Sequence, residues 1–291
     1  MLIQTAQLDH AQQLELEALC AECKRGDGNV VAVYPHLLGK NRGRPANVLY
    51  YDKDQLVGFL GAFFFQTNAC EIGLMVAPAY RRKGIASHLL HAIRPLLQSE
   101  SVNTLRFSIP QGLYTDDLSA RGFHYQGSEY QMHRDSTNPA VATGPLSIVR
   151  LATMADLPTL LAIDQACFPG EKIGMPARII TQLNDPGICL FLIHQNGVPV
   201  GKAHLNWQDK GARLSDIGIL PHAQGKGIGG VLLAYCINYA LLEKKYDLWL
   251  DVESKNQHAL GLYTRLGFEI DNAHDYWSIY EFGLTAFLRP L

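Results

Sequence analysis

The chain has no run of about twenty apolar residues, so no transmembrane helix is predicted. It also lacks a strong excess of charge. Lysine and arginine number 25 against 27 aspartates and glutamates, a formal net charge of −2, which excludes a broad basic face for nucleic acid. Neither nucleic acid nor a membrane is therefore an expected partner. Cysteine is sparse: six in 291 residues do not make a disulfide framework. Cys20 and Cys23 form a single C-x-x-C with no second ligand pair, so they are expected to pack on one face of a helix, and no metal site is expected. His88 and His91 are read in the same way. Met1–Thr5 carries no basic segment leading into an apolar core, so no signal peptide is expected and the cytoplasm is the default compartment.

What is present fits about two globular domains at roughly 150 residues each. The stretch 136–146 is small, polar and Pro/Gly-containing, with no periodicity, and reads as a linker between residues 1–135 and 147–291. Each flanking half opens with a helical pattern. Each continues with a strand pair around a polar turn, Asp52-Lys53-Asp54 in the first half and Gln195-Asn196-Gly197 in the second. A strand, a glycine-containing turn and a helix follow, then a strand (Thr104–Ile109, Asp247–Val252). A second helix ends in Arg121-Gly122-Phe123 or Leu266-Gly267-Phe268, before the last strands. Gly58 and Gly84 are 26 residues apart, as are Gly201 and Gly227, which marks a duplicated domain. The element order predicts an α/β fold, a mixed sheet with helices on its faces, built twice.

The turns carry the chemistry. In the second half the apolar strand ending at Ile217 and Ile219 leads into Gln224-Gly225-Lys226-Gly227-Ile228-Gly229 and then a helix. In the first half the strand ending at Val76 leads into Arg81-Arg82-Lys83-Gly84-Ile85-Ala86. Glycines let main chain approach a ligand closely, and amides at a helix N-terminus bind phosphate. Lys226, Arg82 and Lys83 either add phosphate contacts or are solvated. The second turn also satisfies the dinucleotide pattern G-x-G-x-x-G, with Asp251 ending a later strand. Against a dinucleotide-binding oxidoreductase stand Pro221–Gln224, inserted before the first glycine, and the absence of that glycine from the first copy.

Both turns resemble the [Arg/Gln]-x-x-Gly-x-[Gly/Ala] motif of the GCN5-related N-acetyltransferase (GNAT) superfamily. The second half also carries that family's Asn-x-x-Ala-x-x-x-Tyr-x-x-x-Gly-Phe as Asn256, Ala259, Tyr263, Gly267 and Phe268. The two-half layout resembles the tandem, mycothiol synthase-like type. The resemblance implies two GNAT-like domains, each a mixed, mostly antiparallel sheet whose strand before the glycine turn splays from its neighbour to form a cofactor cleft. It implies acetyl-CoA as co-substrate, held by the turn residues and Asn256, and acetyl transfer to a primary amine on a small molecule, peptide or protein. Oligomeric state is not readable. Tyr263 is the implied acid for the departing thiolate, and Asp251 or Asp216 the implied base. Asn256 could equally have a plain turn role. Counting back from Gly122-Phe123 puts Leu118 at the place of Tyr263, so the first half is expected to be catalytically degenerate. The acceptor site is expected between Cys167–Lys172 and Asp271–Trp277, with Glu171, Asp271 and Asp275 as acids. A non-catalytic acyl-CoA-binding sensor is the alternative function.

Overall fold

The computed structural model describes residues 1–66, 68–168, 175–208 and 211–280. Contacts divide the chain into two units. One comprises Met1–Tyr130, Glu253–Lys255 and, of the described residues after Asp271, Asn272–Tyr280; the other comprises Gln131–Val252 and Asn256–Asp271.

The first unit contains β1 (Leu2–Thr5), α1 (His10–Asp27), α2 (Pro35–Leu38), β2 (Asn47–Asp52), β3 (Gln55–Gln66), β4 (Ala69–Val76), α3 (Ile85–Ser99), β5 (Thr104–Pro110), α4 (Thr115–Ala120) and the start of β6 (His124–Asp135). Strands β1 to β4 pair antiparallel in order, and β4 pairs parallel with β5. Asp9 starts α1 with a reciprocal capping box to Gln12. Helix α3 is amphipathic and buries Ile85, Leu89, Leu90, Ile93 and Leu97.

The second unit repeats this order with β7 (Ile148–Leu151), α5 (Leu157–Cys167), α6 (Met175–Asn184), β8 (Ile188–Gln195), β9 (Val198–Trp207), β10 (Gly211–Ile219), α7 (Ile228–Leu242), β11 (Asp247–Glu253) and α8 (Gln257–Arg265). Strands β7 to β10 are antiparallel, and β10 pairs parallel with β11. Asn196 (φ 52°) and Gly197 (φ 79°) make the turn between β8 and β9, as the Asn-Gly pair predicts. Unlike α3, α7 is apolar nearly all round. The linker covers its outer side: Asn238 accepts the Ala140 N–H at 2.8 Å and donates to the Ala140 carbonyl at 2.9 Å. Buried Arg134 fixes the linker's start through the carbonyls of Ser136 (3.1 Å) and Asn138 (2.5 Å).

One expectation about the chain's end needs correction. Residues 147–291 were expected to form the second domain, with Asp271–Trp277 beside its acceptor site. Instead β12 (Glu269–Tyr280) pairs antiparallel with β5 from His274↔Pro110 to Tyr280↔Thr104, which places Asn272–Tyr280 in the first unit. Side chains lock this register. Asn272 accepts the Val30 N–H at 2.8 Å and donates to the Val30 carbonyl at 3.0 Å, while Asn29 accepts the Ala273 N–H at 2.9 Å. Asp275 is likewise committed, accepting from Ser128 and the Gly112 N–H. Replacing Asn272 with Ala removes both partners of Val30 and is expected to cost about 1–3 kcal/mol. Thermal unfolding of the variant should shift downward by about 2–4 °C for each kcal/mol lost.

Candidate active site

The two glycine turns have the same backbone. A 3₁₀ turn, Pro78–Tyr80 or Pro221–Ala223, leads into an extended Arg81 or Gln224. Left-handed residues follow: Arg82 (φ 60°) and Gly84 (φ 80°) in the first unit, Gly225 (φ 73°) and Gly227 (φ 81°) in the second. Arg82 thus adopts, with a side chain, the conformation glycine supplies in the other copy. The main-chain amides of Arg82, Lys83 and Gly84, and of Gly225, Lys226 and Gly227, make no hydrogen bond among the described residues. They stand at the N-termini of α3 and α7, where the first-turn amides are also unpaired by helix geometry. Such a concave set of donors fits the diphosphate of coenzyme A.

The side chains of the turn mostly serve the turn itself. Arg81 Nε donates to the Val76 carbonyl at 3.0 Å and its guanidinium pairs with Asp27; Gln224 Nε2 donates to the Ile219 carbonyl at 2.8 Å. Lys83 and Lys226 each bond back to the preceding 3₁₀ turn, at Ala79 and His222. The surroundings differ between copies. A Cβ on Gly84 would meet only the His88 ring, whereas one on Gly227 would lie 2.8 Å from the Thr143 carbonyl of the linker.

Beside each turn the sheet opens. Strand β10 pairs with β11 only through Gly211, Ala212 and Arg213, leaving Leu214–Ile219 free on that side. In the first unit the pairing continues from Ala69 to Gly73, so its cleft begins later along the strand. Ile217 and Ile219 are therefore on a strand edge whose N–H and C=O groups can take an extended amide ligand. A bulge between Ser215 and Gly218 turns Asp216 into a left-handed conformation (φ 49°) at this opening.

The second motif is a helix with both ends specified. Asn256 caps α8, accepting the Ala259 N–H at 3.1 Å, so the observed contact is the plain capping one. At the other end the N–H of Phe268 reaches the Tyr263 carbonyl at 3.0 Å and that of Gly267 (φ 88°) reaches Thr264 at 3.0 Å, a Schellman ending. In the first unit Phe123 N–H reaches the Leu118 carbonyl and Gly122 N–H reaches Ser119. Leu118 therefore occupies the place of Tyr263. The Tyr263 ring is buried beside Phe268, and its hydroxyl has no hydrogen-bond partner among the described residues. Burial pushes its phenol up to about 12.

The two candidate carboxylates are differently held. Asp251 Oδ2 accepts from Arg213 Nη2 at 2.9 Å and Nε at 3.2 Å. Asp216 belongs to a chain of charges that sequence reading missed. Lys202 is fully buried and paired with fully buried Asp164; its Nζ is 3.2 Å from His204 Nε2. His204 Nδ1 is 3.4 Å from Asp216, whose other oxygen is 3.5 Å from Arg178. Burial opposes the charge on Asp216, but His204, Lys202 and Arg178 outweigh it and hold the carboxyl well below its usual range. Burial pushes the His204 imidazole down, against the pull of Asp216. The available signal was period-2 placement: Lys202, His204 and Asn206 share one face of an otherwise apolar strand. Of the expected acceptor loop, 169–172 including Glu171 lies outside the described residues.

The dinucleotide alternative fails on geometry, because a 3₁₀ turn separates Ile219 from Gly225 where that fingerprint needs a tight strand-to-glycine turn. No cluster of metal-ligating side chains occurs among the described residues. The sequence profile of the acetyltransferase (GNAT) family matches residues 10–126 and again 157–268. A mycothiol acetyltransferase from Mycobacteroides abscessus is 28% identical over 284 residues, covering 90% of this chain and 94% of that protein. Among solved structures, a GCN5-related N-acetyltransferase from Sphaerobacter thermophilus superposes with a TM-score of 0.73 at 17% identity, over 99% of this chain and 96% of that one. A tandem GNAT protein from the clavulanic acid biosynthesis pathway gives 0.67 at 15% identity, over 100% and 99%. With both copies matched by the family profile, the chain belongs to the acetyltransferase (GNAT) family as a tandem member.

Proposed function

We propose that the chain transfers the acetyl group of acetyl-CoA to a primary amine by direct attack in a ternary complex, and that the second unit performs the transfer. The observation that carries this reading is the coincidence, in that unit alone, of unpaired turn amides, a strand edge free from Leu214 onward and a phenol with an unpartnered hydroxyl. The amine nitrogen bonds to the acyl carbon as the carbon–sulfur bond breaks. Tyr263 donates its proton to the departing sulfur, since a phenol held neutral to about 12 is available throughout the working range. Asp216, ionised and fixed at the bulge, attracts and orients the amine, while the proton released on attack passes to solvent, because a carboxyl held this far below its usual range is a weak base. Asp251 is held by Arg213 and acts as a positioning group. The curated relative covering nearly the full length is itself an acetyltransferase, which supports the reaction class.

Calorimetric titration tests the first half of this reading: saturable acetyl-CoA binding is expected, and no binding at millimolar concentration overturns it. An amine screen with a thiol-release readout tests the second, and binding without any turnover would mean a sensor instead. Tyr263→Phe should lower kcat by about 10²-fold with little change in the KM for acetyl-CoA. Because burial raises this pKa, the wild-type rate should show no loss from Tyr263 deprotonation up to about pH 11. Lys202→Met strands a buried carboxylate and should destabilise the protein by about 3–5 kcal/mol, whereas Lys202→Met with Asp164→Leu should recover most of it. Denaturant unfolding of the two variants measures the difference.

A further inference from the structure

We propose that the first unit holds a separate small-molecule site, a cavity that binds a zwitterion of the free amino acid class between Glu71 and Arg106. This site is distinct from the acetyl-transfer reading of the second unit and does not depend on it.

The cavity has a volume of about 610 Å³ and is lined entirely by first-unit residues, among them Phe63, Phe65, Glu71, Arg106, Gln126 and Ser278. That size suits a small metabolite. Its floor carries two opposite charges that are neighbours across the parallel β4–β5 ladder, Glu71↔Arg106, yet do not close into an ion pair. Each is held in place by other means. The Arg106 guanidinium lies 3.5 Å over the Tyr276 ring, and its Nε is buried with no hydrogen-bond partner among the described residues. Glu71 is 8% exposed; its Oε1 accepts from Tyr34 at 2.5 Å, and no described residue bonds its Oε2. Tyr34 is itself 3.3 Å from the Tyr276 hydroxyl, which donates to Glu129 at 2.9 Å, so the charged pair sits on a braced network.

A buried carboxylate and a half-buried guanidinium whose Nε is enclosed, left apart, are costly unless something completes them. An amine alone would leave Arg106 unmatched, and a carboxylate alone would leave Glu71 unmatched. An ammonium on Glu71 with a carboxylate forked by Arg106 satisfies both. Phe63 and Phe65, stacked with ring centroids 5.9 Å apart and planes within 8°, give the cavity an aromatic side for an apolar body. Gln126 and Ser278, bonded at 2.9 Å, provide a polar edge. Leu118 stands where the second unit has Tyr263, so the site is assigned binding and not turnover.

The test is calorimetry on the full chain without acetyl-CoA, using L-phenylalanine, L-leucine and L-lysine beside phenethylamine and 3-phenylpropionate. At least one amino acid should saturate one site per chain. Each single-charge compound should bind at least about tenfold more weakly than L-phenylalanine or the best amino acid, the loss of one charge-assisted contact. Arg106→Gln and Glu71→Gln should each weaken amino-acid binding by at least about tenfold, with melting temperature as the folding check. Absence of binding by all three amino acids at about 10 mM overturns the proposal. So does phenethylamine binding as tightly as the best amino acid. The compound series needs no variant, so a variant that fails to fold leaves the result decisive.

Discussion

The arrangement rests on a backbone constraint: three consecutive amides must be left without intramolecular partners at the start of a helix. Two left-handed residues per turn achieve this, Arg82 and Gly84 in one copy, Gly225 and Gly227 in the other. Lys83 and Lys226, two of the side chains that could have added phosphate contacts, bond back to the preceding 3₁₀ turn, and Arg81 and Gln224 hold the end of the preceding strand. The donors the turn leaves free are therefore main-chain ones, whose geometry is insensitive to side-chain identity provided the φ values are met. That is why Arg82 can stand where the other copy has glycine, at a strain of about 1–2 kcal/mol for the left-handed conformation.

The copies share this turn and diverge in what surrounds it. In the second, the sheet opens sooner, a bulge turns Asp216 out of the ladder, and a buried run of charges fixes its carboxylate. The linker also lies against its turn, with the Thr143 carbonyl where a Gly227 Cβ would be. Glycine there answers two demands at once, positive φ and close approach. In the first, the turn is open, the ladder runs further, and charged residues gather around a cavity on the same strand pair. A duplicated scaffold thus keeps one backbone device while its two sheets carry different polar interiors.

Much of this was legible because it is local. The glycine turns, the Asn-Gly hairpin and the helix from Asn256 to Phe268 are set by dihedrals and bonds within about ten residues. The strand β12 was misplaced because pairing partners are chosen non-locally. Nothing near His274–Tyr280 in sequence reports that β5, more than 160 positions earlier, offers the matching edge and that Asn29 and Val30 lock it. The charges of Lys202, His204, Glu71 and Arg106 escaped notice for a related reason. A polar residue within a strand reads as solvent-facing until the layer packed above it is known.

The motif around Tyr263 separates what folding needs from what chemistry uses. Its spacing is helix grammar: Asn256 caps the first turn, Gly267 supplies the left-handed exit, and the carbonyl of residue 263 receives the closing bond. None of this involves the phenol. Leu118 completes the same ending in the first copy with no hydroxyl at all. A tyrosine at that place therefore adds nothing to the helix that leucine does not supply. It brings a polar group into a largely buried position, where desolvation raises its pKa and no described side chain accepts its proton. The ring is buried but the hydroxyl tip keeps contact with solvent, so an incoming group can reach it. A departing thiolate, as proposed above, would be such a group, and leucine at the same place offers it nothing.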